Sequence, residues 1–83
     1  MTVGKKYICV LQRGWVIVGT VESVNTREIV LKNAASVLGQ TGDIGRLALD
    51  GPANHAQVYP CGTVRFHPLT SCFYLDCSPE AWG

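Results

Sequence analysis

The segment Gly14–Ala34 constrains the fold of this chain more than any other part of the sequence. It reads GWVIVGTVESVNTREIVLKNA, with β-branched runs on either side of a short polar stretch. Gly19 interrupts the first run, and a glycine inside a strand commonly marks a bulge or the sharp bend of a small barrel. The polar residues Asn25–Glu28 favour a reversal of the chain. The segment therefore predicts a long, bent strand, a tight turn and an antiparallel return strand.

Alternation of side chains predicts which face of each strand meets the core. In the bent strand one face carries Val16, Val18, Thr20 and Glu22, and the other carries Trp15, Ile17, Gly19, Val21 and Ser23. Because the first set ends in a charged residue, we expect the second set to face the core. In the return strand, Ile29 and Leu31 are expected to point inward, and Glu28 and Lys32 outward.

The remaining sequence predicts three more strands and one short helix. Apolar residues at helical spacing predict the helix Asp43–Asp50, which Thr41 or Asp43 can cap. In chain order the predicted strands are Lys6–Gln12, Trp15–Val24, Glu28–Leu38, Val58–Phe66 and Cys72–Cys77, followed by a tail, Ser78–Gly83. This order predicts an all-β fold, a small, five-stranded, strongly bent antiparallel barrel with a short helical insert between strands three and four.

Size and composition predict one domain, residues 1–83, that associates with copies of itself. The apolar residues make up 47% of the chain and the charged residues only 16%. A small soluble domain is expected to carry about 25–35% charged residues on its surface. Part of the apolar surface is therefore expected to face another subunit, and soluble oligomers are mostly symmetric homo-oligomers.

The charge balance excludes a large basic footprint. The net charge is +1, and the seven basic residues are dispersed along the chain rather than clustered, as they would be in a dedicated duplex-binding protein. A symmetric oligomer can still concentrate one arginine per subunit into a ring. No stretch approaches the ~20 apolar residues of a membrane span, and the N-terminus lacks the apolar core of a signal peptide. We therefore expect a cytoplasmic protein with no membrane contact.

The cysteines and acidic residues do not form a recognisable catalytic or metal pattern. Cys72 and Cys77 have no second close pair that would complete a zinc site, so no metal and no cofactor are expected. There is no Gly-rich phosphate loop and no pair of carboxylates at a useful spacing. Cys61 or Cys72 with His67 is the only nucleophile–base combination, brought close if the last two strands form a hairpin. We expect a protein that is not an enzyme.

Val10–Ala34 resembles the first sequence motif of the Sm-like (LSm and Hfq-like) family. The matching residues are Gly14, Val16, Gly19, Val21, Val24, Asn25, Ile29, Val30, Leu31 and Asn33. Cys61–Leu75 is similar to the shorter second motif, with Gly62–Phe66 as its first strand, His67–Thr70 as its tight turn and Cys72–Leu75 as its last strand. The chain as a whole also resembles small uncharacterised proteins of phages and mobile elements.

The resemblance implies a partly open Sm-like or SH3-like barrel that forms a homo-oligomeric ring and binds single-stranded RNA without catalysis. In such rings the fourth strand of one subunit pairs with the fifth of the next, and RNA binds at the turns after the second strand and before the fifth. The candidate RNA-binding residues are Asn25, Thr26, Arg27, Phe66 and His67. The candidate interface residues are Thr63, Arg65, Phe73 and Leu75, together with Trp82, which needs a surface to cover it.

Three features depart from the family pattern. The first turn is short, with neither an aromatic residue nor an Asp-x-x-Met-Asn run, and the second turn lacks the Arg-Gly of archaeal and eukaryotic members. The family's N-terminal helix is missing, and a helical insert lies between strands three and four instead. His67 is nevertheless similar to the histidine in the Lys-His turn of the bacterial members.

The two polar candidates also have structural interpretations. Arg27 can contact a phosphate, or it can pair with Glu22 or Glu28 as an ordinary turn residue. His67 can contact a base, or it can be fixed by its own loop. The sequence leaves both pairs of alternatives open.

The aromatic candidates are open in the same way. Phe66 and Tyr74 can stack on bases, or they can belong to the core or to a subunit interface. Trp15 is expected to fill the core or to contact a neighbouring subunit. A second interpretation of the whole chain therefore remains, in which the barrel is a structural or protein-binding module that has no nucleic-acid ligand.

Overall fold

The computed structural model describes residues 1–38, 44–52 and 57–82. The strands are β1 (Lys6–Leu11), β2 (Val16–Val24), β3 (Ile29–Leu38), β4 (Gln57–Phe66) and β5 (Ser71–Asp76), and the helices are α1 (Ile44–Asp50) and α2 (Pro79–Trp82). Short 3₁₀ turns at Gln12–Gly14 and Pro68–Thr70 precede β2 and β5. Every strand begins and ends within one residue of its predicted bounds. The predicted helix caps, Thr41 and Asp43, lie outside the described residues.

The five strands form one antiparallel sheet in the order β4-β3-β2-β1-β5. This confirms the predicted all-β fold with a helical insert between the third and fourth strands. It also corrects one expectation, because β4 and β5 lie at opposite edges of the sheet and do not form a hairpin. Cys61 and Cys72 therefore do not face each other across paired strands.

The bend in β2 lies at Gly19, where β3 approaches closely. A Cβ atom at this position would lie 2.9 Å from the Cβ atom of Leu31 and 3.1 Å from that of Ala34. The register of β2 with β3 shifts between Val18 and Thr20, across Gly19, and again between Val21 and Ser23, as expected where a strand curves sharply. The glycine is therefore required by the close contact between the two curved strands.

The buried side chains form two clusters, one on each face of the central strands. The first core cluster contains Tyr7, Cys9, Ile17, Val21, Ile29, Leu31 and Ala34. The second core cluster contains Ile8, Val18, Ala35, Val37 and Cys77 from the sheet and its end, with Leu47 and Ala48 from α1. The prediction that Ile29 and Leu31 point inward is confirmed. The sheet is thus covered on both faces along part of its length.

The predicted assignment of the faces of β2 was wrong in two respects. Val18 was expected to point outward, but it is buried, because α1 covers that face of the sheet. Trp15 was expected to fill the core or a subunit contact, and its side chain is 60% exposed at the turn before β2. Trp15 is therefore not a core residue, and its contact with a neighbouring subunit stays a prediction.

The tail after β5 is helical rather than irregular, and it is anchored on α1. The indole N–H of Trp82 in α2 donates to the carbonyl oxygens of Leu47 and Ala48, at 3.2 and 3.0 Å. The backbone N–H of Ser78 also donates to the carbonyl of Ala48, at 2.9 Å. The surface that covers Trp82 thus belongs to its own subunit. The assignment of Trp82 to a subunit interface stays a prediction.

The two edge strands differ from the three central strands in burial. No residue of β4 or β5 is buried, whereas β1, β2 and β3 each contribute buried residues. Gly62 of β4 has a φ of 77°, and the register of β4 with β3 shifts around its pairing with Ala34. In the described part of the chain, no helix is long and apolar enough to cross a membrane.

Candidate nucleic-acid interface

The register of the sheet brings the two candidate turns to one end of the molecule. Ile29 pairs with Phe66, so the turn Asn25–Glu28 lies beside the end of β4 and the start of the second turn, His67–Thr70. An ion pair bridges the same two elements, with 3.5 Å between a guanidinium nitrogen of Arg65 and a carboxylate oxygen of Glu28. The candidate residues are therefore neighbours in space although about forty positions separate them in the sequence.

Asn25 shapes the first turn with its own side chain. Its Oδ1 accepts hydrogen bonds from the backbone N–H groups of Arg27 and Glu28, at 2.8 and 2.9 Å. The backbone N–H of Asn25 donates to the carbonyl of Glu28 at 3.0 Å, which closes the turn. Such local bonds are the reason that asparagine favours turns. They leave Thr26 and Arg27 exposed at the tip.

The guanidinium of Arg27 makes no ion pair with any described residue. The carboxylate of Glu28, one of its expected partners, pairs with Arg65 across the strands instead. The other expected partner, Glu22, forms no ion pair within the described ranges either. The interpretation of Arg27 as a paired turn residue is therefore not supported, and its charge is available to an anion.

His67 is fixed by its loop and still presents a donor to solvent. Its Nδ1 accepts a hydrogen bond from the backbone N–H of Leu69 at 3.0 Å. Its carbonyl accepts from both the backbone N–H and the hydroxyl of Thr70, at 2.9 and 2.7 Å. Because Nδ1 is an acceptor, the neutral ring carries its proton on Nε2, and His67 is exposed. The two interpretations of His67 are thus compatible.

The aromatic candidates are bound more closely to the barrel. Phe66 is partly buried and packs against the first core cluster, which favours its structural interpretation. The ring of Tyr74 meets Tyr7 edge-on, with centroids 5.4 Å apart, and its hydroxyl accepts from the amino group of Met1 at 3.2 Å. These two contacts hold the ring of Tyr74 in place, and one of its faces stays exposed.

A shallow apolar groove of about 290 Å³ lies next to both turns. Val24 and Ile29 line it from the first turn, Pro68 from the second, and Phe73 and Tyr74 from β5. Sequence reasoning missed the exposed apolar side chain of Leu69 in the second turn. The position of this leucine within a predicted tight turn could have indicated that its side chain is exposed.

The fold as a whole matches a solved structure. The crystal structure of a heptameric archaeal Sm protein superposes with a TM-score of 0.63, covering 92% of this chain and 90% of that one at 19% sequence identity. The chain has the Sm-like fold. No protein-family model matches the sequence, and no curated protein matches it. The departures noted in the two turns fit this low identity.

The edges of the Sm-like barrel carry the predicted interface residues. Thr63 and Arg65 are exposed on β4, and Phe73 is 48% exposed on β5. Leu75 is only partly exposed, because it packs against the second core cluster. The structure thus places four of the five candidates on open edges and the fifth, Trp82, against α1.

The four cysteines are free and divide into two buried and two exposed thiols. Burial raises the pKa of the Cys9 thiol to about 12, with a smaller contribution from Cys77. Burial also raises the pKa of Cys77 to about 11, although the Lys6 ammonium opposes this shift. Both are therefore protonated near neutral pH, which makes them poor nucleophiles and ligands. Within the described ranges, no three His, Cys, Asp or Glu residues are grouped as a metal site would require.

Proposed function

We propose that the chain assembles into a homo-oligomeric ring and binds single-stranded RNA through its turns, without catalysing a reaction. The observation that carries the proposal is the exposed turn Asn25–Glu28 beside the second turn, in which the guanidinium of Arg27 forms no ion pair with the described part of the chain. The assembly repeats this cation around one face. The cytoplasm is the expected location, since all four cysteines are free.

The open edges support the ring. Unpaired backbone groups along an edge strand attract another strand, and this sheet has such an edge at β4 and another at β5. The turn His67–Thr70 connects β4 to β5. Antiparallel pairing of β4 with the β5 of a neighbour would therefore bring the turns of adjacent subunits together. The archaeal Sm protein with this fold is heptameric.

The surface chemistry of the turns supports a single-stranded ligand. An arginine contact to phosphate supplies affinity without reading the sequence, and one Arg27 per subunit multiplies that contact. The Nε2–H of His67 can donate to a base edge, and the neighbouring apolar groove can accept an unstacked base. The crystal structure of the archaeal Sm protein was described as bearing on the eukaryotic snRNP core.

Native mass spectrometry of protein purified without nuclease tests the assembly and the ligand together. The expected result is a closed oligomer of defined subunit number that carries co-purified nucleotide mass. A closed oligomer without nucleotide would favour the alternative function, a structural or protein-binding module of phage or mobile-element origin. A monomer would overturn the ring.

Arg27→Ala tests the binding site itself. Fluorescence anisotropy of a labelled uridine oligomer is expected to show weaker binding and a flatter salt dependence, with about one fewer released counterion for each arginine that binds a phosphate. Arg46→Ala is the matched control, because it removes the same charge from α1, where Arg46 pairs with Asp50 at 3.2 Å. Equal affinities and equal salt slopes for the two variants would remove Arg27 from the site.

A further inference from the structure

A second cleft, of about 460 Å³, lies at the opposite end of β1 and β5 from the turns. The start of β1, the end of β5, α1 and α2 surround it. Leu49, which is 60% exposed at the end of α1, and Trp82 provide apolar walls. The volume falls within the range of about 300–1,000 Å³ that is typical of small-molecule sites.

Two lysines line this cleft. The ammonium of Lys6 donates one hydrogen bond to the carbonyl of Trp82 at 2.9 Å. An ammonium has three donors, and among the described residues this is the one hydrogen bond that Lys6 Nζ makes. Neither Lys5 nor Lys6 forms an ion pair with a described residue, although Asp76 also lines the cleft. Among the described lining residues, two ammonium groups and one carboxylate give a formal sum of +1.

The cleft is separate from the turns. Tyr7 pairs with Asp76 at this end of the two strands, and Leu11 pairs with Ser71 at the other end, next to the turn Pro68–Thr70. Four residue steps along β1 at about 3.3 Å each place the two sites roughly 13 Å apart. A ligand in the cleft therefore does not occupy the turns.

We propose that this cleft binds a small organic anion with an apolar tail. Lys5 and Lys6 hold the anionic group, and Leu49 and Trp82 contact the tail. The charge selects against cations, and the apolar walls select against inorganic ions, which have no tail to bury. The two requirements together define the ligand class.

The two tryptophans provide a direct test. In a ¹⁵N-TROSY spectrum each indole N–H gives one peak, and Trp15→Phe assigns them. Titration with octanoate is expected to shift the peak of Trp82 saturably and leave that of Trp15 unchanged. Octanamide, the uncharged analogue, is expected to bind about tenfold more weakly, because it lacks the charge-assisted hydrogen bonds. A shift of Trp15 alone, or equal binding of octanamide, would overturn the proposal.

Two pairs of variants locate the ligand. Leu49→Ser is expected to weaken octanoate binding roughly fivefold, whereas Leu69→Ser, at the other end of the molecule, leaves it unchanged. Lys6→Met is expected to weaken it about tenfold, with Lys32→Met on β3 as its control. Because Lys6 also contacts Trp82, Leu49→Ser remains decisive if Lys6→Met unfolds. Equal binding by Leu49→Ser and Leu69→Ser would refute the site.

The nature of the anionic group is distinguished by a second probe. Adenosine 5′-monophosphate presents a phosphate on a larger, polar body. Because it has no apolar tail, its competition with octanoate at the Trp82 peak would overturn the requirement for the tail. Shifts by octanoate alone would support the proposal in its carboxylate form. A Trp82 shift by a uridine oligomer and none by either small anion would overturn it.

Discussion

Replacement of Trp82 measures how much the helix α2 contributes to stability. Its indole packs against the second core cluster and donates to two carbonyl groups of α1. Truncation of a buried tryptophan to alanine costs about 3–5 kcal/mol. Because Trp82 is only partly buried, we expect Trp82→Ala to lower the free energy of unfolding by about 2–3 kcal/mol.

Trp82→Phe separates the packing of the ring from its hydrogen bonds. Both acceptors keep another donor, because the carbonyl of Leu47 also accepts from Gly51 N–H and that of Ala48 from Ser78 N–H, each at 2.9 Å. No buried carbonyl is therefore left without a partner. The expected loss is only about 0.5–1 kcal/mol.

Urea unfolding followed by far-UV circular dichroism measures the loss of stability in Trp82→Ala and in Trp82→Phe. Each loss is expected to appear as a lower midpoint urea concentration with an unchanged m-value. Trp15→Ala is the matched control, because Trp15 is 60% exposed, and it should change stability by less than about 0.5 kcal/mol. In a domain of this size, Trp82→Ala corresponds to a decrease in Tm of about 10–20 °C.

Two outcomes would refute this reasoning. Equally small losses for Trp82→Ala and Trp15→Ala would show that α2 does not anchor α1. A loss that depends on protein concentration and accompanies dissociation of the oligomer would return Trp82 to the subunit interface.

Three further predictions concern the edge, the thiols and the bend. Phe73→Asp places a charge on β5 and is expected to shift the assembly toward monomer in size-exclusion chromatography with light scattering. Burial raises the thiol pKa of Cys9 to about 12 and that of Cys77 to about 11, from an ordinary value of 9.0. Above about pH 9 the native state therefore retains thiol protons that the unfolded chain loses, so the free energy of unfolding falls as the pH rises. Urea titrations at about pH 7.5 and 10 measure this decrease. Gly19→Ala is expected to cost about 1–3 kcal/mol through the contact with Leu31, measured by urea unfolding.

Each of these predictions has an outcome that contradicts it. An intact oligomer of Phe73→Asp would show that another surface joins the subunits. A free energy of unfolding that does not change between the two pH values would contradict the burial of both thiols. Wild-type stability of Gly19→Ala would mean that β3 moves away at no cost.

Local pattern was sufficient for the strands and for the bend. The runs of β-forming residues predict the bounds of each strand within one residue. Side chains alternate between the two faces of a strand whatever packs against those faces, so the pattern is visible in the local sequence. Gly19 was identified as the position of an irregularity in β2, and the structure adds a second reason for the glycine, because the missing side chain makes room for β3. The turn residue Asn25 was also identified, because its hydrogen bonds run to residues two and three positions away.

Partners distant in sequence were not predictable from local pattern. The sequence offered Glu22 and Glu28 as partners of Arg27. The register of β3 with β4 instead places Glu28 against Arg65, and Arg27 forms no ion pair within the ranges that the structure describes. The cleft beside Lys6 has no sequence signal, because its lining comes from β1, β5 and both helices.

The sequence by itself determined where the strands lie, where β2 bends and which residues form the first turn, since these follow from contacts within a few positions of the chain. The tertiary structure decided that Val18 is buried, that α1 covers Trp82, and that Glu28 pairs with Arg65 and not with Arg27. Each of these depends on an element distant in the sequence, which either covers one face of the sheet or supplies the partner of an ion pair. The periodicity of a local segment cannot predict these contacts, because it shows which residues share a face and not which distant element packs against that face.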